Sequence, residues 1–178
     1  MRPVIVLMVV ALAQALPCLS AIADTPTAAS ATAWHKLTQQ QRNLRIISAG
    51  AADNGKSGGQ CKVWVRDVIS RATSMHVTVP SNQTNSRWAP ETIGHVVGRS
   101  ARIENVKAGE IVQMELKAAS GGIIPHTAIV GSNQNGSITW LESNYKGDEK
   151  VTATRVQSHA DFYKSLSSSG SYSVYYIN

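Results

Sequence analysis

Cysteine is nearly absent from this chain. Its 178 residues include two, Cys18 and Cys61. Cys18 lies inside an apolar N-terminal stretch that reads as a removable signal, so Cys61 is expected to stand alone in the mature protein. A lone cysteine excludes an internal disulfide. No set of His and Cys residues with metal-ligand spacing remains, so no metal or other cofactor is expected. Acidic residues are also few, 11 against 17 Lys and Arg, for a formal net charge of +6. A basic balance suits an anionic cell envelope. It also suits nucleic acid, but there is no basic run or groove motif, and nucleic acid is not an expected partner. There is no internal repeat. After the N-terminus no apolar run is long enough to span a membrane, so no stable span is expected. A chain of this length with 43% hydrophobic residues supports one domain with a real core.

The N-terminus has the three parts of an export signal. Arg2 is the positive start, Val4 to Leu16 is apolar except for Gln14, and Ala21-Ile22-Ala23 is a small-x-small cleavage site before Asp24. The apolar run falls short of the roughly 20 residues a spanning helix needs. Cys18 follows Pro17 rather than the small residue of a lipidation site. The expected organisation is residues 1–23 as cleaved signal, 24–33 as a flexible lead-in, and 34–178 as the domain, secreted or periplasmic.

Apolar spacing predicts a helix over Trp34 to Ile47, with Trp34, Leu37, Leu44 and Ile47 on one side. A second helix starts at or beside Cys61, its apolar face made by Cys61, Trp64, Val65, Val68, Ile69 and Ala72. Pro80 to Pro90 is a polar loop with Trp88 near its end. Strands follow: Ile111 to Leu116, His126 to Gly131, Ser137 to Tyr145, Val151 to Val156 and Tyr172 to Ile177, with a short helix over Asp161 to Leu166. Helices first and an antiparallel meander after make an α+β pattern.

The stretch GGQCKVWVR, residues 58–66, holds the chemistry. A thiol at a helix start feels the positive end of the dipole, which favours thiolate. Gly58 and Gly59 allow close backbone approach, and N–H groups near Cys61 can face an oxyanion. An inert buried thiol and an intermolecular disulfide are the other readings of Cys61. A nucleophile needs a base. His35 is in the first predicted helix, His76 follows the second, and His159 sits at a helix start with a capping or surface role. His95 and His126 compete, and His126 begins a buried strand after a Gly-rich loop, where catalytic side chains often sit. On the next strand Ile138, Trp140, Glu142 and Asn144 share one face, apolar and then polar. A three-residue loop, Gln134-Asn135-Gly136, would set His126 opposite Asn144 and Ala128 opposite Glu142, whereas a two-residue Asn-Gly loop would put them on opposite faces.

Cys at a helix start, His at a strand start and Glu-x-Asn on the next strand resemble the CHAP family. These are papain-like cysteine amidases and peptidases of bacterial cell walls, neighbours of the NlpC/P60 group. The matching stretches are Gly59 to Val65, Val106 to Val112, His126 to Val130 and Glu142-Ser143-Asn144. The resemblance spans about residues 55 to 177. It implies a papain-like fold with N-terminal helices packed on an antiparallel sheet or half-barrel. It implies Cys61 as nucleophile, His126 as base, Asn144 or Glu142 as its orienter, and Gln60 or its backbone at the oxyanion. The order also favours His126 over His95, because the base should follow the Gly109 to Leu116 unit. Pro125 and Thr127 depart from the Gly and Val that often flank this His, which bears on substrate specificity. Trp88, with Trp64 and Trp140, is a candidate groove residue, although Trp64 and Trp140 suit core packing.

The expected activity is acyl transfer on peptidoglycan or its stem peptides through a thioester. The expected state is a monomer. An inhibitor or immunity protein is the partner that a self-acting hydrolase or a toxin would need. The rivals are a cysteine peptidase acting on proteins and a catalytically silent envelope-binding module.

Overall fold

Thr38 sets where the first helix begins. Its hydroxyl accepts from Gln41 N–H, and the Gln41 side chain accepts from Thr38 N–H, a reciprocal cap that satisfies two donors of the first turn. In the computed structural model, which describes residues 34–75, 77, 79, 96–99 and 101–178, helix α1 therefore runs Gln39–Ala51, later than the spacing predicts. Its buried face differs as well. Asn43, Ile46 and Gly50 are buried, while Leu44, expected inside, is exposed. Trp34 precedes α1 and is buried, with its ring N–H on the Asn178 carbonyl. The signal, the lead-in, His76, His95 and the polar loop with Trp88 lie outside the described residues.

Helix α2, Cys61–Ala72, follows the predicted stripe, and Trp64, Val65, Val68, Ile69 and Ala72 are buried. Strand β1 (Val96–Arg99) and a 3-10 turn (Ile103–Asn105) lead to β2 (Ile111–Lys117) and β3 (Ile123–Gln134). Then come β4 (Ser137–Ser143), β5 (Val151–Ser158), α3 (His159–Ser165) and β6 (Tyr172–Ile177). The strands form one antiparallel sheet in the order β1-β6-β2-β3-β4-β5. Strand β3 starts earlier and ends later than His126 to Gly131, because residues 123–125 continue the ladder with β2 and residues 132–134 the ladder with β4.

Both sheet faces are covered. Ile111, Ile129, Leu141, Val151, Tyr175 and Ile177 pack on α1 and α2. Val112, Met114, Ala128, Val130, Ile138, Trp140 and Val174 make a second cluster, closed by Phe162 of α3 and Ile103. Each fully buried aliphatic side chain contributes about 1.5–3 kcal/mol of transfer free energy. This is the expected α+β architecture, with helices on an antiparallel sheet.

The β3–β4 loop corrects the register argument. Gln134 pairs with Ser137, so the loop is the two residues Asn135-Gly136, both at positive φ, as a tight hairpin turn of matching twist requires. Yet Val130 pairs with Trp140 and Ser132 with Thr139, leaving one extra residue, Gly131, in β3. That bulge shifts the ladder back by one. Beyond it, Ile129 faces Leu141, the register that a three-residue loop would have set.

Candidate active site

The α2 start is held by backbone pairing before any side chain acts. The segment ahead of it adds to the sheet edge. Gly55 N–H bonds Val151 O, Val151 N–H bonds Lys56 O, Ser57 bridges Lys150, and Gly58 N–H bonds Glu149 O at 2.8 Å. Ser143 Oγ, at the end of β4, donates to Gly59 O at 2.7 Å. Gly58 has no room for a side chain: a Cβ there would lie 2.5 Å from Val151 Cγ2 and 2.6 Å from Ser143 Oγ. Gly59 has φ +66°, which favours glycine. The two glycines thus let the chain press against β4 and β5 and then turn into α2 with Cys61 as its first residue.

Cys61 is half-buried and hydrogen-bonded to His126. His126 is 4% exposed, and its Nε2 lies 2.9 Å from Glu142 Oε2. With Nε2 engaged, Nδ1 is the ring nitrogen left for Cys61. Glu142 is fully buried on β4, where Arg155 of β5 grips both its oxygens, Nε on Oε1 and Nη2 on Oε2. The Tyr145 ring meets the His126 ring edge-on at 5.7 Å between centroids.

The electrostatics make one connected system. Burial pushes the Cys61 thiol up, but the His126 hydrogen bond and charge, with the backbone of Thr127 and Lys62, hold it below its ordinary value. Burial pushes His126 down, but its bonds to Cys61 and Glu142 and their charges raise it to about 9. Burial pushes Glu142 up, and Arg155 first and His126 second hold it below the usual carboxylate range. All three directions favour thiolate, imidazolium and carboxylate in a row at neutral pH.

The structure brings Cys61, His126 and Glu142 together. Asn144 goes elsewhere. It lies past the end of β4 at φ +59°, and its side chain donates to Gln60 Oε1 at 3.0 Å and accepts from Glu149 N–H. The expected opposition of His126 and Asn144 does not form, because the β3–β4 ladder ends before it and the chain turns. Gln60 is the N-cap residue of α2 without a side-chain cap; its side chain is tied to Asn144 and Glu149.

Of the other histidines, His35 is exposed. His159 opens α3 with Nε2 2.7 Å from Asn133 Oδ1. Trp64 and Trp140 are buried core residues, their ring N–H groups on Asp53 and Gln157.

Cys61 and His126 open into a cleft of about 530 Å³. Its walls include Leu116, Lys117, Ile124, Pro125, Tyr145 and Lys164. Sequence reasoning named none of these as wall residues, nor Arg155. Arg155 lies opposite Trp140 across the β4–β5 ladder, and only that pairing places it beside Glu142.

No protein-family model matches the chain, and no curated protein matches it. Among solved structures, the chain is similar to Ly7917 in two crystal structures. One, "with the hydrolyzing product of MDP", is 20% identical with a TM-score of 0.51 and covers 76% of this chain and 63% of that one. The other is 19% identical with a TM-score of 0.50 and covers 78% and 62%. The chain thus spans less than two thirds of Ly7917. At this identity the likeness is one of fold.

Proposed function

We propose that this protein is a cysteine hydrolase of amide bonds in peptidoglycan, exported to the envelope or beyond. One observation carries the reading: a cysteine at a helix start, hydrogen-bonded to a buried histidine that a buried glutamate holds, lining an open cleft. The N-terminal signal pattern and the basic charge support an envelope destination. The resemblance of the motif order to CHAP enzymes supports the chemistry. The shared fold with Ly7917, a structure of which holds the hydrolysis product of MDP, supports the substrate class.

In the proposed mechanism Cys61 thiolate attacks an amide carbonyl carbon, and the oxyanion takes hydrogen bonds from N–H groups at the start of α2, which have no carbonyl one turn earlier. His126, as imidazolium, gives its proton to the leaving amine as the C–N bond breaks. Glu142 keeps the ring aimed throughout. The neutral ring then takes a proton from water, which attacks the thioester and releases the acid and Cys61. Lys117 and Lys164 on the cleft wall give it positive charge that suits the carboxylates of a stem peptide, while Leu116, Ile124 and Pro125 offer apolar contact.

The test is digestion of peptidoglycan sacculi by the purified protein beside Cys61→Ala, with soluble products identified by mass spectrometry. Fragments released only with intact Cys61 support the proposal, and their masses name the bond. Cleavage of unfolded protein without wall fragments would instead make it a protein peptidase. Equal behaviour of the two proteins in every assay would make it a binding module.

A further inference from the structure

A buried glutamate that faces only a histidine can trade its proton with it. Glu142 does not stand in that position, because a guanidinium occupies its other side. Arg155 Nη2 lies 2.9 Å from Glu142 Oε2, the oxygen that also meets His126, and Arg155 Nε bonds Oε1. Two parallel N–H···O bonds to one carboxylate fix its plane as well as its charge.

Arg155 is itself held on every side. Its Nη1 donates to Gln157 Oε1 at 3.0 Å, which also accepts from the Trp140 ring N–H at 3.0 Å, while Gln157 Nε2 donates to Ser165 Oγ. The guanidinium carbon lies 3.9 Å from the Tyr145 ring centroid and 5.6 Å from that of Trp140, within cation–π range. The β4–β5 ladder carries a bulge at this place: Trp140 faces Arg155 and Glu142 faces Thr152, so two residues of β5 lie opposite the single Leu141 of β4. Such bulges re-aim side chains. The side chain is 18% exposed, so its charge is only partly screened by water.

We propose that Arg155 is a positioning residue of this site: its two-pronged grip sets where the Glu142 carboxylate meets His126 Nε2, and through it the proton balance between His126 and Cys61. The inference rests on the reading of Cys61, His126 and Glu142 as the reacting group and its support. During turnover His126 must lose its proton to the leaving amine and regain one. With Arg155 in place, Glu142 keeps its charge and its orientation in both states, so the ring returns to the same place. Among the described residues, the charged groups facing Glu142 are His126 from β3 and Arg155 from β5. Those facing His126 are Cys61 from α2 and Glu142 from β4, and Lys62 lies beside Cys61.

The test reads Cys61 without any substrate. The rate of alkylation by iodoacetamide is followed against pH for wild type, Arg155→Met and Arg155→Lys, with circular dichroism to establish folding. In Arg155→Met, Glu142 faces His126 alone and takes up a proton more readily as pH falls. The acid limb is therefore expected to move to higher pH by at least about one unit, a tenfold loss of rate at fixed pH on that limb. Arg155→Lys restores charge without the fork and is expected to recover part of the shift. A folded Arg155→Met with the wild-type profile would overturn the proposal and leave Arg155 a structural residue.

If Arg155→Met does not fold, Glu142→Gln is compared with Glu142→Gln/Arg155→Lys. Identical profiles for these two support action through Glu142, and a further shift in the double variant overturns it. Alkylation is independent of peptidoglycan, so failure to cut sacculi counts against the proposed function and leaves this result standing. A wild-type Cys61 that alkylates as an ordinary thiol counts against the site itself.

Discussion

Replacing Gly58 by alanine tests how the site is built, because the change touches none of the reacting groups. An added Cβ would lie 2.5 Å from Val151 Cγ2, 2.6 Å from Ser143 Oγ and 2.9 Å from Trp64 Cδ1. Ordinary carbon contacts begin near 3.5 Å, so the shortfall is about 0.6–1 Å in three directions. Val151 and Ser143 belong to the sheet and Trp64 is buried, so the glycine segment has to give. It carries Gly59 O, which Ser143 holds, and then Cys61. Overpacking of this kind costs about 1–3 kcal/mol. At about 2–4 °C per kcal/mol for a domain of this size, a loss of about 2 kcal/mol lowers Tm by about 4–8 °C. A displacement near 1 Å of the nucleophile from His126 costs about 100-fold in rate. Thermal unfolding, Cys61 alkylation at pH 7 and sacculus digestion together measure this. Gly59→Ala is the control. It has φ +66° but nothing within 4 Å of its Cβ, so it costs about 1–2 kcal/mol of backbone strain and leaves Cys61 near its place. Wild-type Tm and rate in Gly58→Ala would refute the close-approach argument. So would an equal loss of alkylation rate in both variants.

Other outcomes follow from the same geometry. Glu142→Gln is expected to lower Cys61 alkylation at pH 7 by tenfold or more, whereas Asn144→Ala, which loses bonds to Gln60 and Glu149 only, should stay within about threefold and cost about 1 kcal/mol in chemical unfolding. Hydrolysis needs thiolate and imidazolium together. Since the Cys61 thiol is lowered and His126 is raised to about 9, the rate should climb as Cys61 ionises on the acid side and fall as pH rises through about 9. An alkaline limb near 6.5 would mean that His126 lacks the stabilising partners seen here. Ultraviolet absorbance of the thiolate at neutral pH should vanish equally in Cys61→Ser and His126→Gln. Phe162→Ala empties a fully buried site that touches Trp140 and Tyr172, and should cost about 3–5 kcal/mol by urea unfolding.

Local signals in the sequence located much of this protein. The apolar spacing from Cys61 to Ala72 marked α2 and put the cysteine at its start, because one face of a helix repeats every 3.6 residues whatever it packs against. The alternation in Ile111 to Leu116 and the run at Tyr172 marked β2 and β6 for the same kind of reason. Motif order pointed to His126 among the histidines, and the structure sets it beside Cys61 and Glu142. The first helix was misplaced because its start depends on the cap at Thr38, and its buried face is set by what Asn43, Ile46 and Gly50 pack against, which leaves Leu44 in solvent.

The tertiary structure decided what the chain could not express locally. A bulge at Gly131 offset a two-residue turn, so the face carrying His126 came to meet Glu142 although the turn has two residues and not three. Register is a property of two strands at once, and a single extra residue reverses it. The choice of Glu142 over Asn144 as the group on His126 came from where β4 ends and the backbone turns to positive φ. Arg155 was invisible in sequence because nothing in its own neighbourhood marks it. It acquires meaning only from the strand it pairs with, the aromatic ring beneath it and the buried carboxylate it neutralises. Periodicity and caps are local and can be read along a chain; pairing, burial and charge balance belong to residues that only folding brings together.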